Sequence, residues 1–138
     1  MIRKNAYGIK DINDKKLRIT YISPLDLMPN SYNPNSHETK TFDLLCKSIA
    51  IFGFTQPIVV DKNTMEIIDG EHRWRASCVL ELELVPICLI DLTEEQKRLA
   101  TIMHNEARGK HSVQAMEEIN SYLSKKGVNL EKELLRDH

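Results

Sequence analysis

No apolar run in this chain approaches the length of a membrane span. The polar start Met1-Ile2-Arg3-Lys4-Asn5 also lacks the apolar core of a secretion signal. A cytoplasmic protein without membrane contact is therefore expected. An excess of one charge is missing too: 19 Lys and Arg against 20 Asp and Glu leave a formal net charge of −1. A free-standing DNA binder held mainly by phosphate contacts carries a clear basic excess, so the balance speaks against that class. Cysteines are few, and Cys46, Cys78 and Cys88 show neither CxxC spacing nor Cys/His pairing. Each sits in an apolar stretch and reads as a buried free thiol in a reducing compartment. No set of His, Cys and acidic residues has metal-cage spacing, which excludes a structural zinc. What remains is an ordinary soluble composition, 41% hydrophobic and 28% charged over 138 residues. A chain of this size buries about 70% of its unfolded surface and needs no disulfide or metal staple.

Patterning predicts an α+β fold. Residues 1–16 are polar and read as a flexible N-terminal arm. Leu17 to Ile22 alternates apolar and polar residues, as a half-buried strand does. Ser23-Pro24-Leu25-Asp26 supplies an N-cap, a proline at the first helical position and an acid, enough for one helical turn. After the turn-rich stretch 30–36, Asn35 and Glu38 are spaced as a capping box. The helix they open should bury Phe42, Leu45, Ile49 and Phe52 and stop at Gly53. Pro57–Asp61 and Met65–Ile68 form a hairpin across Lys62-Asn63-Thr64. A helix follows from about Glu71 to Leu82, then a strand from Val85 to Ile90. Thr93 and Gln96 make a second capping box, and Leu99, Ile102 and Met103 share a face of its helix. Gly109 breaks that helix. Another from about Ser112 to Lys125 presents Val113, Met116, Ile119 and Leu123, and a short one is expected near Leu130–Arg136. The predicted architecture is a small mixed sheet with packed helices at 17–92, followed by a helical C-terminal segment at 93–138.

The segment that carries chemistry is Ile67-Ile68-Asp69-Gly70-Glu71-His72-Arg73-Trp74-Arg75-Ala76. A strand ends at a glycine and a helix begins at once. Exposed N–H groups at a helix start suit an anion, and a glycine lets a phosphate approach the backbone. His72, Arg73 and Arg75 add donors, although Arg73 and Arg75 do not share a helix face. The residues alone fit either a phosphate site or a capped helix with solvated charges.

These residues resemble a known family. Phe52-Gly53-Phe54-Thr55-Gln56-Pro57-Ile58-Val59-Val60 followed by Ile68-Asp69-Gly70-Glu71-His72-Arg73-Trp74-Arg75-Ala76 is similar to the paired boxes of the ParB N-terminal domain, within the ParB/sulfiredoxin superfamily. His104-Asn105-Glu106-Ala107-Arg108 resembles a third ParB box. Asn33-Pro34-x-x-His37 and Val85-Pro86 with Leu92-Thr93-x-x-Gln96 resemble the ParB-like domains of phages and prophages. The likeness spans about residues 17–120.

The resemblance implies a ParB/sulfiredoxin-like fold that holds a nucleotide with Mg2+, CTP in the partition branch and ATP or ADP in others. Gly53, Thr55 and Gln56 would border the base or sugar. Gly70, Glu71, His72 and Arg73 would hold phosphates, with Arg75 and Arg108 as further donors and Asn105 near the metal. Two positions depart from the partition pattern: His72 stands for an arginine, and His104 for a glutamate suited to magnesium. Glu71 occupies the position of the sulfiredoxin cysteine, which excludes that activity.

The implied function is a nucleotide-binding module, with slow hydrolysis, that works with DNA or a DNA-bound protein. A homodimer is expected from the amphipathic C-terminal helices. The alternative is a serine-type kinase of the same fold, in which Glu71, Glu38 and His37 would be catalytic. A nuclease ranks third, because no acid cluster suits two metals.

Overall fold

The computed structural model describes residues 16–30, 39–107 and 113–125. The element order is β1 (Ile19–Ile22), a 3-10 turn (Pro24–Asp26), α1 (Thr39–Phe52), β2 (Ile58–Asp61), β3 (Ile67–Asp69), α2 (Glu71–Val79), β4 (Val85–Ile90), α3 (Glu94–Ala107) and α4 (Val113–Lys125). The chain divides into two compact units. Arg18–His104 contains the whole sheet, α1, α2 and most of α3; the other unit includes α4. The division thus falls inside α3.

The sheet is mixed, in the order β1-β4-β2-β3. β2 and β3 form the antiparallel hairpin, with a shift in register between Val59 and Val60. β2 runs parallel to β4, pairing Ile58 with Ile87 and Val60 with Leu89. A parallel pair needs a crossover, and the stretch through β3 and α2 provides it. That crossover sets α2 beside the sheet with its first turn directly after β3.

One core cluster gathers Leu27, Ile58, Val60, Ile67, Val85 and Ile87. A second gathers Cys46, Ile49 and Ala76 between α1 and α2. Phe54 packs against both. Trp74 joins the first cluster and donates its indole N–H to the Pro24 carbonyl at 2.7 Å. It is a structural joint between α2 and the 3-10 turn.

Several expectations are corrected here. The buried face of α1 uses Cys46 with Ile49, whereas Phe52 is 74% exposed. It is the last residue of the helix, where the chain already turns away towards Gly53. β1 is exposed along most of its length rather than on alternate faces, because it is an edge strand. Cys78 is exposed; Cys46 and Cys88 are buried. Met103, Val113 and Met116 are exposed as well, while Leu99 and Ile119 are buried. The arm, the Asn35/Glu38 capping box, Gly109 and the expected 130–136 helix lie outside the described residues.

α2 ends at Val79, three residues before the expected Leu82. Leu82 N–H donates to Ser77 O at 3.0 Å and Glu81 N–H to Cys78 O at 3.2 Å, the paired bonds of a Schellman cap. The left-handed position of that cap, usually a glycine, is Glu81 at φ +55°. Glu81→Gly is expected to stabilise the fold by about 0.5–1 kcal/mol, the left-handed strain relieved less the entropy glycine loses on folding. Thermal denaturation measures it; an unchanged or lower midpoint would show that the carboxylate side chain supports the cap.

α3 is attached by polar contacts. The Thr93/Gln96 box forms reciprocally, with Gln96 N–H to Thr93 Oγ1 at 3.2 Å and Thr93 N–H to Gln96 Oε1 at 3.1 Å. Lys97 is 2% exposed and meets Glu66 and Glu94, each at 2.9 Å, and Asp61 at 3.8 Å. Asn30 Nδ2 donates to Thr101 Oγ1 at 2.9 Å one turn further on. These bonds seat α3 on the β2–β3 turn.

Candidate functional site

β3 ends at Asp69 and α2 begins at Glu71, so a single residue turns the chain from sheet to helix. Gly70 does this at φ +98° and ψ +24°, a region that L side chains avoid. It contributes no side-chain cap, and N–H groups in a first helical turn have no acceptor within the helix. The positive end of the helix dipole points to the same place. An anion with several oxygens is the chemical match.

Arg73 folds back over this turn. A Cβ added to Gly70 would lie 3.0 Å from Arg73 Nη2 and 3.2 Å from Nε. Nη1 donates to Gln56 Oε1 at 2.8 Å, and Nη2 lies 3.5 Å from Asp69 Oδ2. One side chain thereby ties the loop after α1 to the turn before α2. The same Asp69 oxygen is 3.7 Å from Nδ1 of His104 on α3. Asp69 and Arg73 are only 12% and 14% exposed, so their attraction is less screened than at an open surface.

Three expected residues therefore meet: Gln56, Gly70 and Arg73. Gly53 ends α1 at φ +76°, with open space where a Cβ would stand, and Thr55 is exposed in the bend that follows. Both ring nitrogens of His72 are shielded from solvent. Glu71 is buried, and its carboxylate lies 3.3 Å from Arg75 Nη2. That pair joins residues one turn apart on α2. Asn105 falls in the other unit. His37, Glu38 and Arg108 lie outside the described residues.

Asp69 is the residue that sequence reasoning missed. It reads as the end of a hairpin, yet it stands just before Gly70, within reach of the Arg73 guanidinium that folds back over that turn. His104, read as a lost oxygen ligand, instead faces Asp69. Among the described residues no group of three or more His, Cys, Asp or Glu side chains could hold a metal ion.

Gly70→Ala is expected to cost about 1–2 kcal/mol through its left-handed backbone. Its new methyl meets the flexible end of Arg73, so the chain should fold with that guanidinium displaced. Thermal denaturation with a parallel nucleotide titration checks both effects; a variant with unchanged stability and binding would remove Gly70 from the site.

The family model described as ParB N-terminal domain matches residues 9–106. The uncharacterized protein YbdM of Escherichia coli (strain K12) is 44% identical over 142 residues, covering 86% of this chain and 68% of that protein. A nucleoid occlusion protein of Listeria monocytogenes is 30% identical over 127 residues, covering 88% of this chain and 44% of that protein. The chromosome-partitioning protein ParB of Caulobacter crescentus, C-terminally truncated and complexed with CTP-γ-S, superposes with a TM-score of 0.60 at 26% identity. That alignment covers 79% of this chain and 64% of the ParB chain. The chain thus spans under half the length of the nucleoid occlusion protein and somewhat under two thirds of the truncated ParB.

Proposed function

Because this chain belongs to the ParB N-terminal domain family, we propose that it is a nucleotide-binding module that works with DNA or DNA-bound partners and grips its nucleotide by the phosphates at the start of α2. The observation that carries this reading is the Arg73 guanidinium, hydrogen-bonded to Gln56 across Gly70 at an uncapped helix start. Backbone donors, a helix dipole and a fixed guanidinium converge there, the combination that a polyphosphate chain requires. CTP is the first candidate, since the Caulobacter ParB of the same fold is complexed with CTP-γ-S.

Magnesium fits this site as an ion carried mainly by the nucleotide. Mg2+ is commonly bound through one or two carboxylates plus substrate phosphates, and Asp69 is the carboxylate beside Arg73 at this turn. When bound, the ion would neutralise phosphate charge. Asp69 meanwhile holds Arg73 until a phosphate competes for it. The near-neutral charge of the chain favours action through a DNA-bound partner over a direct clamp on duplex phosphates.

Calorimetric titration with CTP, ATP, ADP and GTP, each with and without magnesium, tests the proposal. Selective CTP binding supports a partition-type switch; ATP or ADP would move the assignment to a kinase; no binding to any of them would sink it. Duplex DNA binding that changes with nucleotide and weakens with salt would test the partner half.

Asp69→Asn provides a finer check. Removing the internal competitor should strengthen magnesium-free nucleotide binding about two- to fivefold, the worth of a partly exposed ion pair. The gain on adding magnesium should shrink in parallel. Weaker binding in both conditions would mean that Asp69 positions Arg73 and does not compete for it.

A further inference from the structure

The opposite end of α2 carries a cavity of the opposite electrostatic sign. A cavity of about 450 Å3 lies between the 3-10 turn and the Schellman cap, lined by Pro24, Leu25, Cys78, Glu81, Leu82 and Glu83 among others. Its volume falls in the ~300–1,000 Å3 range of pockets that hold ligands. The exposed lining is mainly apolar, and Leu25 is 85% exposed beside it. Among the described residues no lysine, arginine or histidine lines it. Glu81 and Glu83 are exposed, and neither has a cation partner among the described residues. The negative end of the α2 dipole adds to the same field.

Glu81 makes this arrangement conspicuous. It holds the cap position at which glycine would be more stable, so a carboxylate is kept at the cavity mouth despite backbone strain. An apolar cavity rimmed by unpaired acids, at a helix C-terminus, is complementary to one chemistry. We propose that it docks a basic segment of a partner protein, which inserts one large apolar side chain into the cavity and sets flanking lysines or arginines against Glu81 and Glu83. Charge complementarity sets the class of occupant. The apolar lining anchors it, and the acids select it and speed its approach.

Cys78 is a built-in reporter. It lines the cavity and is exposed, while the other two cysteines, Cys46 and Cys88, are buried. The test follows maleimide modification of Cys78 in the full chain in the presence of three synthetic peptides: Lys-Lys-Leu-Phe-Lys-Lys, its charge-reversed form Glu-Glu-Leu-Phe-Glu-Glu, and Lys-Lys-Ser-Ser-Lys-Lys. Only the first is expected to slow labelling, and its protection should weaken as salt rises. Glu81→Gly and Glu83→Gln should each weaken it about two- to fivefold. Because Glu81→Gly is also expected to raise the melting temperature, lost binding in that variant could not come from unfolding. Equal protection by the charge-reversed peptide would overturn the proposal, showing a cavity that reads apolar groups alone. So would labelling that none of the three slows by ~1 mM, beyond which any affinity is weaker than about −4 kcal/mol.

Discussion

Replacing Lys97 by methionine is expected to lower the unfolding free energy by about 3–5 kcal/mol, the cost of removing one partner from a buried ion pair. The methionine fills a similar space, so the loss is electrostatic. Asp61, which is 1% exposed, would keep its bonds from Thr64 Oγ1 at 2.8 Å and Asn63 N–H at 3.3 Å but lose its countercharge. For a domain of this size the melting temperature should fall by roughly 10–20 °C. Glu66 and Glu94 contribute less to that figure, since they are 25% and 70% exposed and water screens them. Burial pushes the Lys97 ammonium towards neutrality, but hydrogen bonds to Glu94 and Glu66 outweigh it and hold the pKa above the ordinary 10.5.

A raised folded-state pKa stabilises the fold fully below the unfolded value, and the contribution disappears only as pH rises through the folded one. The stability difference between Lys97→Met and the parent should therefore be constant with respect to lysine titration across neutral pH, shrinking only in strong alkali. Denaturant melts from pH 6 to pH 9 measure this. A difference under about 1 kcal/mol would show that α3 does not depend on the buried cluster.

Arg73→Ala should have the largest effect on ligand binding. A guanidinium that makes charge-assisted hydrogen bonds contributes about 1.5–3 kcal/mol through each, so nucleotide affinity should fall by roughly ten- to a hundredfold. Arg73→Lys should lie between, because an ammonium keeps the charge but loses the planar fork. Stability should change less than affinity: the bond lost to Gln56 is at the surface, and Asp69 loses the guanidinium at 3.5 Å but keeps His104 Nδ1 at 3.7 Å. Calorimetric titration of the three proteins, with thermal melts alongside, separates the two effects. Parent-like affinity in Arg73→Ala would place the phosphates away from α2. A large loss of stability would make Arg73 a structural residue first.

The sequence by itself determined the order of elements and the chemistry of the turn. Val85–Ile90 is a strand with the bounds expected of it, its proline near the start. Gly53 and Gly70 adopt the positive φ that their positions at a helix end and a strand-to-helix turn require. The Thr93/Gln96 box closes as its spacing says. Such features are local: each depends on residues within a turn of one another, so a linear reading finds them. The resemblance to the ParB boxes added the identity of the fold.

Tertiary structure decided which of the polar residues meet. Gln56 and Arg73 are 17 positions apart and Asp69 and His104 are 35 apart, and only the β2–β3–α2 crossover and the seat of α3 bring them together. Lys97 meets Asp61 and Glu66 only because the hairpin closes over it, while its third carboxylate, Glu94, is one turn away on the same helix. Phe52 and Cys78 reversed their expected burial for a related reason: hydrophobicity favours burial, but only the direction of the chain at a helix end decides whether a core is there to receive the side chain.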